Sequence, residues 1–273
     1  MTAFKQQPLL AIATLLGAMG QLLAPSFHQL TGLGSSFMQA TNATIVNAPE
    51  VPAGYAFSIW GIIFMLSLVF GIFQTLPKNW NNPSFSAIRL PMLGLFWSAS
   101  AWMVLLQLKG EGWYLAAIIW LMLGFALTAF FTNHQHQNQL NPSTKINLQR
   151  WLINPLVGLF SGWLSIAVFL NSSSVIRLYQ WHQFFDVNIS PTLQAILTLV
   201  LAFLFGGMIL IKTKGNGWYG GTLLWGLVGV IVANTVKVPN LTIAMLAGGL
   251  VVGVLGLMLL LNKLVFQKAN QAL

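Results

Sequence analysis

The sequence predicts an all-α membrane protein, an eight-helix transmembrane bundle. Charged residues make up 5% of the 273 positions, against roughly a quarter in a soluble domain. Hydrophobic residues make up 56%, which leaves too little polar surface to hold the chain in water. The apolar residues also gather into runs of about 20, the length a helix needs to cross ~30 Å of hydrocarbon. These runs show no apolar/polar alternation, which sets aside a β-barrel.

The spans are expected at roughly 8–25, 55–76, 91–108, 113–132, 151–170, 192–211, 218–236 and 241–262. Each is bounded by Pro, Gly, Asn or a basic residue, as helix ends at a membrane surface should be. The first run, Leu9 to Leu23, follows one lysine and resembles a signal peptide. It lacks a small-x-small cleavage site after Pro25 and is therefore expected to be a retained span. With the N-terminus cytoplasmic, Lys5, Lys78, Arg89, Lys145, Arg150, Lys212, Lys214, Lys263 and Lys268 fall inside. Lys109, Arg177 and Lys237 then fall outside, together with the acids Glu50, Glu111 and Asp186. That asymmetry fits the positive-inside rule and places both termini in the cytoplasm. The net charge of +9 thus orients the protein in a lipid membrane and does not imply nucleic acid.

Loop lengths divide the chain into a five-span unit, 1–172, and a compact three-span unit, 192–264. The first external loop, 26–54, is long enough to act as a lid. Loop 171–191 carries Arg177, Tyr179, Trp181, His182 and Asp186, and its aromatic residues suit an interfacial segment. In the last span Gly248, Gly249, Gly253 and Gly256 lie near one another on a helical face. Small residues let membrane helices approach closely, so this face is expected to serve internal packing or a homo-oligomer seam.

Of the eleven tryptophans, Trp80, Trp113, Trp151, Trp181 and Trp218 stand at or near span ends, where an amphipathic ring belongs. Trp60, Trp102, Trp120 and Trp163 do not. At ~1.5 Å per residue all four fall about 8–10 Å below the outer surface. Phe57, Trp60 and Phe64 are spaced to share a helical face, and Trp97 adds a deeper ring on the third span. The arrangement suits either aromatic packing or a cup for a flat, largely apolar ligand beneath loop 26–54.

The stretch Pro52-Ala-Gly-Tyr-Ala-Phe-Ser-Ile-Trp60-Gly-Ile-Ile-Phe64, the pair Trp97-Ser98 and the run Trp163-Leu-Ser-Ile-Ala-Val-Phe-Leu-Asn171 together resemble the tryptophan-rich sensory protein/translocator protein (TspO/MBR) family. The matches occur in family order and lie within residues 1–172. The chain departs from the family where Phe57 and Trp60 are one residue closer, where Phe64 and Tyr55 replace a tyrosine and a tryptophan, and at Gly94 and Leu159-Phe160. The resemblance implies a five-helix bundle extended here by three helices. It also implies a receptor or carrier for a porphyrin- or haem-like tetrapyrrole or another hydrophobic small molecule, with Trp60, Phe64, Trp97, Trp163 and Asn171 at the motif positions.

Catalysis is not expected. The chain has no cysteine, no paired carboxylates, no Ser-His-Asp arrangement and no phosphate-binding Gly-rich loop. No metal site is expected, because the His134-Gln-His136 pair is a weak signal and His28 and His182 are loop residues. The polar span residues Gln74, Gln107, Asn154, Asn234 and Thr235 are neutral, which argues against ion-coupled transport and points to hydrogen bonding between helices. A non-coupled transporter or lipid translocator, and an assembly factor of a larger membrane complex, are the alternative roles. A reporter fused after Leu273 is expected to read as cytoplasmic; an extracellular signal would reverse every assignment of sides.

Overall fold

The computed structural model describes residues 2–44, 48–139, 149–180, 189–237 and 239–271. Its long helices are α1 (Thr2–Leu23), α4 (Ile59–Thr75), α5 (Pro83–Lys109), α6 (Trp113–Gln139), α7 (Asn154–Leu178), α8 (Pro191–Lys212), α9 (Gly217–Val232) and α10 (Leu241–Gln271). Two short helices, α2 (Phe27–Thr31) and α3 (Phe37–Thr44), lie between α1 and α4. All eight expected spans are present as helices long and apolar enough to cross a membrane, and no strand occurs among the described residues. The protein is an integral, multi-pass membrane protein.

Local sequence starts and stops these helices. Asn82, Ser190 and Asn216 cap α5, α8 and α9 with side-chain oxygens that accept from Ser84, Leu193 and Tyr219 amides, satisfying donors that have no intrahelical partner. Gly110, at φ 70°, ends α5. The chain packs as two compact units, Met1–Thr44 with Ile59–Leu164 and Ile45–Ser58 with Ser165–Leu273. The division falls within α7, the most enclosed span, of which 78% of the apolar window is buried.

In the first unit α5 packs on both α1 and α6, and α1 also packs on α4. Gly17 lies against Phe96 and Trp97, and Gly71 against Leu15 and Ala18. The amides that the sequence marks inside spans bridge helices here. Gln107 Nε2 donates to the Ala24 carbonyl at 2.7 Å, and Asn133 Nδ2 donates to Asn154 Oδ1 at 2.7 Å. Gln137 Nε2 also donates to Asn154 Oδ1.

Arg89 differs from expectation. It is not a loop residue but sits in the second turn of α5, only 1% exposed. Its guanidinium donates to Gln74 Oε1 at 2.9 Å, to the Trp80 carbonyl at 3.0 Å, to the Asn79 carbonyl at 3.4 Å, and to Gln7 Oε1. The reason is that α5 begins two turns before its apolar run, at the Asn82–Pro83 start signal. A buried cation requires its donors to be met, and four neutral oxygens meet them.

Loop 26–54 forms, in its described residues, α2, α3 and a stretch leading into α4. Its first part belongs to this unit, where α2 and α3 lie over the end of α5. The His28 amide donates to Gln107 Oε1 at 3.1 Å, and the Ser35 amide to the Gln107 carbonyl at 2.8 Å. Ala40 of α3 packs with Leu106 and Leu115, flanked by Phe37, Trp102 and Tyr114.

In the second unit residues 48–58 run along α9. The Ala53 amide donates to the Gly229 carbonyl at 2.9 Å, Trp225 Nε1 to the Ala56 carbonyl at 2.9 Å, and Asn234 Nδ2 to the Pro49 carbonyl at 2.7 Å. Gly229 admits this approach, because a Cβ there would collide with Pro52 and Ala56. Tyr219, fully buried, donates to Ser165 Oγ at 2.9 Å. The loop residues Trp181, His182 and Asp186 lie outside the described residues, as do the side chains of Lys145 and Arg150.

Gly34 is the tightest point of the α2–α3 turn. It has φ 72°, and a Cβ on it would overlap the Gln107 carbonyl oxygen. Gly32 has a similar φ of 73° but open space around it. Gly34→Ala is therefore expected to cost about 2–3 kcal/mol, and Gly32→Ala only the backbone term of about 1 kcal/mol. Thermal unfolding in detergent distinguishes them; equal losses would mean the close approach to Gln107 contributes nothing.

Candidate functional site

The largest assembly of rings lies in the first unit, where α4, α5 and the first half of α7 contribute its members. Trp60 meets Phe64 at 5.2 Å between centroids, Phe160 at 5.8 Å and Trp163 at 6.2 Å. The last two contacts are edge-to-face, with interplanar angles of 81°, a preferred geometry for aromatic quadrupoles. Phe160 stacks on Phe96 at 6.4 Å, and Phe96 leads through Phe70 to Phe85. Phe64, Phe96, Phe160 and Trp163 are buried. Trp60 alone of these five is half-buried.

Of the four indoles that the sequence places at one depth, Trp60 and Trp163 meet edge-to-face in this cluster. Trp102 belongs to a separate cluster beneath α3, with Ala40, Leu106 and Leu115. Trp120 is 43% exposed and Trp97 50%; Trp97 Nε1 donates to the Ala13 carbonyl at 3.0 Å. Depth is one coordinate and azimuth the other. One residue of offset turns a side chain by about 100° around its helix, so equal depth does not make neighbours.

Phe57 lies half-buried in the 3₁₀ turn Gly54–Ser58, before the α-helix that carries Trp60 and Phe64. Asn171 turns back on its own helix, with Nδ2 donating to the Ala167 carbonyl at 3.3 Å.

Three participants escape the motif reading. Phe96 and Phe160 complete the cluster, and their signal is helical spacing. Met92, Phe96, Ser100, Met103 and Gln107 form the buried stripe of α5, and Phe160 stands three residues before Trp163. Gln21 is the third. It continues the buried stripe Ala11, Thr14 and Ala18, is 0% exposed, and neither its Nε2 nor its Oε1 has a hydrogen-bond partner. Gln21 lies one turn beyond Gly17, which itself rests on Phe96. A buried amide left unpaired costs free energy that a bound polar group would recover.

The ring of Phe125 lies over Gly94, where any Cβ would collide with it. This position is therefore filled by a neighbour's ring. On α10, Gly253 is covered by Phe203, whereas Gly248, Gly249 and Gly256 meet nothing within 4 Å.

Fold and site together define a helical membrane protein with a buried aromatic cluster shared by three of its spans. The model of the TSPO-like protein family matches residues 11–260, and the chain belongs to that family. The match runs well past residue 172 and takes in α8, α9 and most of α10. No curated protein matches the chain, and no solved structure does.

Trp163 is 4% exposed and faces Trp60. Replacing it with Ala is expected to cost about 3–5 kcal/mol of stability through the cavity left behind. Unfolding midpoints in detergent measure this, and a loss below about 1 kcal/mol would mean that the cluster does not hold the unit together.

Proposed function

We propose that this protein binds a flat, largely apolar ligand in the first unit against Trp60, Phe64 and Trp163, for sensing or passive movement across the membrane. The observation that carries the reading is the contiguous set of five rings with one half-exposed member, Trp60. Because the rings touch one another, a ligand would enter by turning Trp60 aside and stacking on the rings behind it. Gln21, with an amide donor and acceptor both unpaired, would orient a polar edge of the ligand.

Family membership supports a tetrapyrrole-like ligand, and the chemistry of the cluster supports holding it by its face. The cluster contains rings and no histidine. His28 is half-buried, with Nδ1 3.2 Å from the Leu33 carbonyl in the turn after α2. A porphyrin would accordingly be held by stacking rather than by an axial ligand. Neither the rings nor Gln21 offers a charged or nucleophilic group, so the proposed role is binding and not catalysis.

Titrating the purified protein with a porphyrin, followed by tryptophan fluorescence, tests the reading. Saturable quenching is expected, and the Trp163→Phe variant should weaken it about tenfold, the effect of roughly 1.4 kcal/mol of lost contact. Quenching identical to that in empty micelles, or unchanged in the variant, would remove the planar ligand from this site.

A further inference from the structure

The second unit contains a polar site that the aromatic cluster does not use. Glu50, from the stretch before α4, is 0% exposed, and its Oε1 accepts hydrogen bonds from Ser173 Oγ at 2.6 Å and from Arg177 Nη1. Arg177 Nη1 also donates to Ser173 Oγ at 3.1 Å, and Gln194 Nε2 donates to the Ser173 carbonyl at 2.8 Å and to its Oγ at 3.0 Å. The ends of α7 and α8 are thereby joined to residue 50. Asn234 Nδ2 ties the end of α9 to the carbonyl of Pro49, and Asn240 Nδ2 ties the start of α10 to Thr192 Oγ1 at 3.2 Å.

The ion pair is end-on. Only one oxygen and one nitrogen meet, although Arg and carboxylate ordinarily pair two-on-two. Glu50 Oε2 and Arg177 Nη2 are both buried and both without a hydrogen-bond partner. A buried carboxylate oxygen needs a donor and a buried guanidinium nitrogen needs an acceptor. The pair is electrically neutral, so an added charge would gain nothing from it. One hydroxyl group meets both needs, giving its proton to Oε2 and accepting from Nη2.

A cavity of about 20 Å³ is lined by Ile166, Leu199, Phe203, Leu227, Val230 and Val254, among others. Ile166 lies seven residues, and hence about 10 Å, from Ser173 on the same face of α7. Val230 lies one turn from Asn234, on the same face of α9. The cavity thus lies about two helical turns along α7 from the unpaired polar atoms. The polar end is at the helix termini, where a lipid's head lies, and the apolar end points toward the hydrocarbon depth.

We infer that the second unit binds an uncharged amphiphile by its hydroxyl head, with Glu50 and Arg177 holding the hydroxyl and the chain directed toward the cavity at Ile166, Leu199 and Val230. This site is independent of the aromatic cluster and of what that cluster binds. The class of ligand is a long-chain alcohol or partial glyceride; a methyl ester of the same chain lacks the donor that Oε2 requires.

The test uses the full chain in nanodiscs with three probes: monooleoylglycerol, methyl oleate and free glycerol. Saturable retention of monooleoylglycerol alone is expected, with Glu50→Gln weakening it about tenfold, as loss of a hydrogen bond to a charged group should. Retention of glycerol as well would place recognition in the head group only and overturn the role of the chain. Equal retention of methyl oleate, or of neither lipid, would overturn the hydroxyl site and leave its unpaired atoms to water. The comparison of monooleoylglycerol with methyl oleate is made on the unaltered protein, so it decides the matter even if Glu50→Gln unfolds. A porphyrin titration run alongside should be unaffected by Glu50→Gln, which separates this site from the first.

Discussion

In hydrocarbon an unpaired backbone amide or carbonyl costs several kcal/mol, and no water is present to relieve it. That penalty shapes every part of the molecule. It turns each apolar run into a helix, whose backbone groups pair within the segment, and leaves only the helix ends to be settled. Asn82, Ser190 and Asn216 settle three of them with side-chain caps, and Gln107 serves both the Ala24 carbonyl and the His28 amide where α1 gives way to α2. The polar side chains inside the spans are neutral amides for the same reason. An amide can donate and accept at once, so one residue can satisfy two helices without carrying a charge into the bilayer.

Arg89 and Arg177 are met in different ways. Arg89 is surrounded by neutral oxygens from Gln74, Gln7 and the carbonyls of Trp80 and Asn79, and holds the α4–α5 connection and the start of α1 together. Arg177 has a carboxylate partner in Glu50 but meets it with one nitrogen, and a polar atom on each side is left unpaired. The first arrangement is closed chemistry and reads as structure. The second is open, and it is the reason for assigning a ligand to it.

Aromatic packing follows a different rule, because rings need shape and not partners. The cluster around Trp60 is built largely from residues three or four apart on their helices, Trp60 with Phe64 and Phe160 with Trp163, so α4 and α7 each present a pair of rings. Close approach between the helices depends on small residues, with Gly17 lying on Phe96. At Gly94 the absence of a side chain is used by the Phe125 ring, so that position serves packing. The unpaired amide of Gln21, on the opposite helix, is the remaining polar feature near the cluster.

The amino-acid sequence by itself determined the eight helices, their approximate limits and the bridging roles of Gln74, Gln107 and Asn154. These depend on run length, composition and the cost of unpaired groups, which act locally along the chain. It also carried the family through the Trp60 and Trp163 motifs, although the motifs stop at Asn171 and the family match continues to residue 260. What only the tertiary structure decided is azimuth. The sequence places Trp60, Trp102, Trp120 and Trp163 at one depth, yet Trp60 meets Trp163 while Trp102 packs beneath α3, because rotation about each helix axis is set by packing between helices. Azimuth also decided that Arg89 faces inward, and the path of residues 48–58 decided that Glu50 finds Arg177 across 127 positions of chain. Contacts of such separation are chosen by the fold as a whole, and no local pattern encodes them.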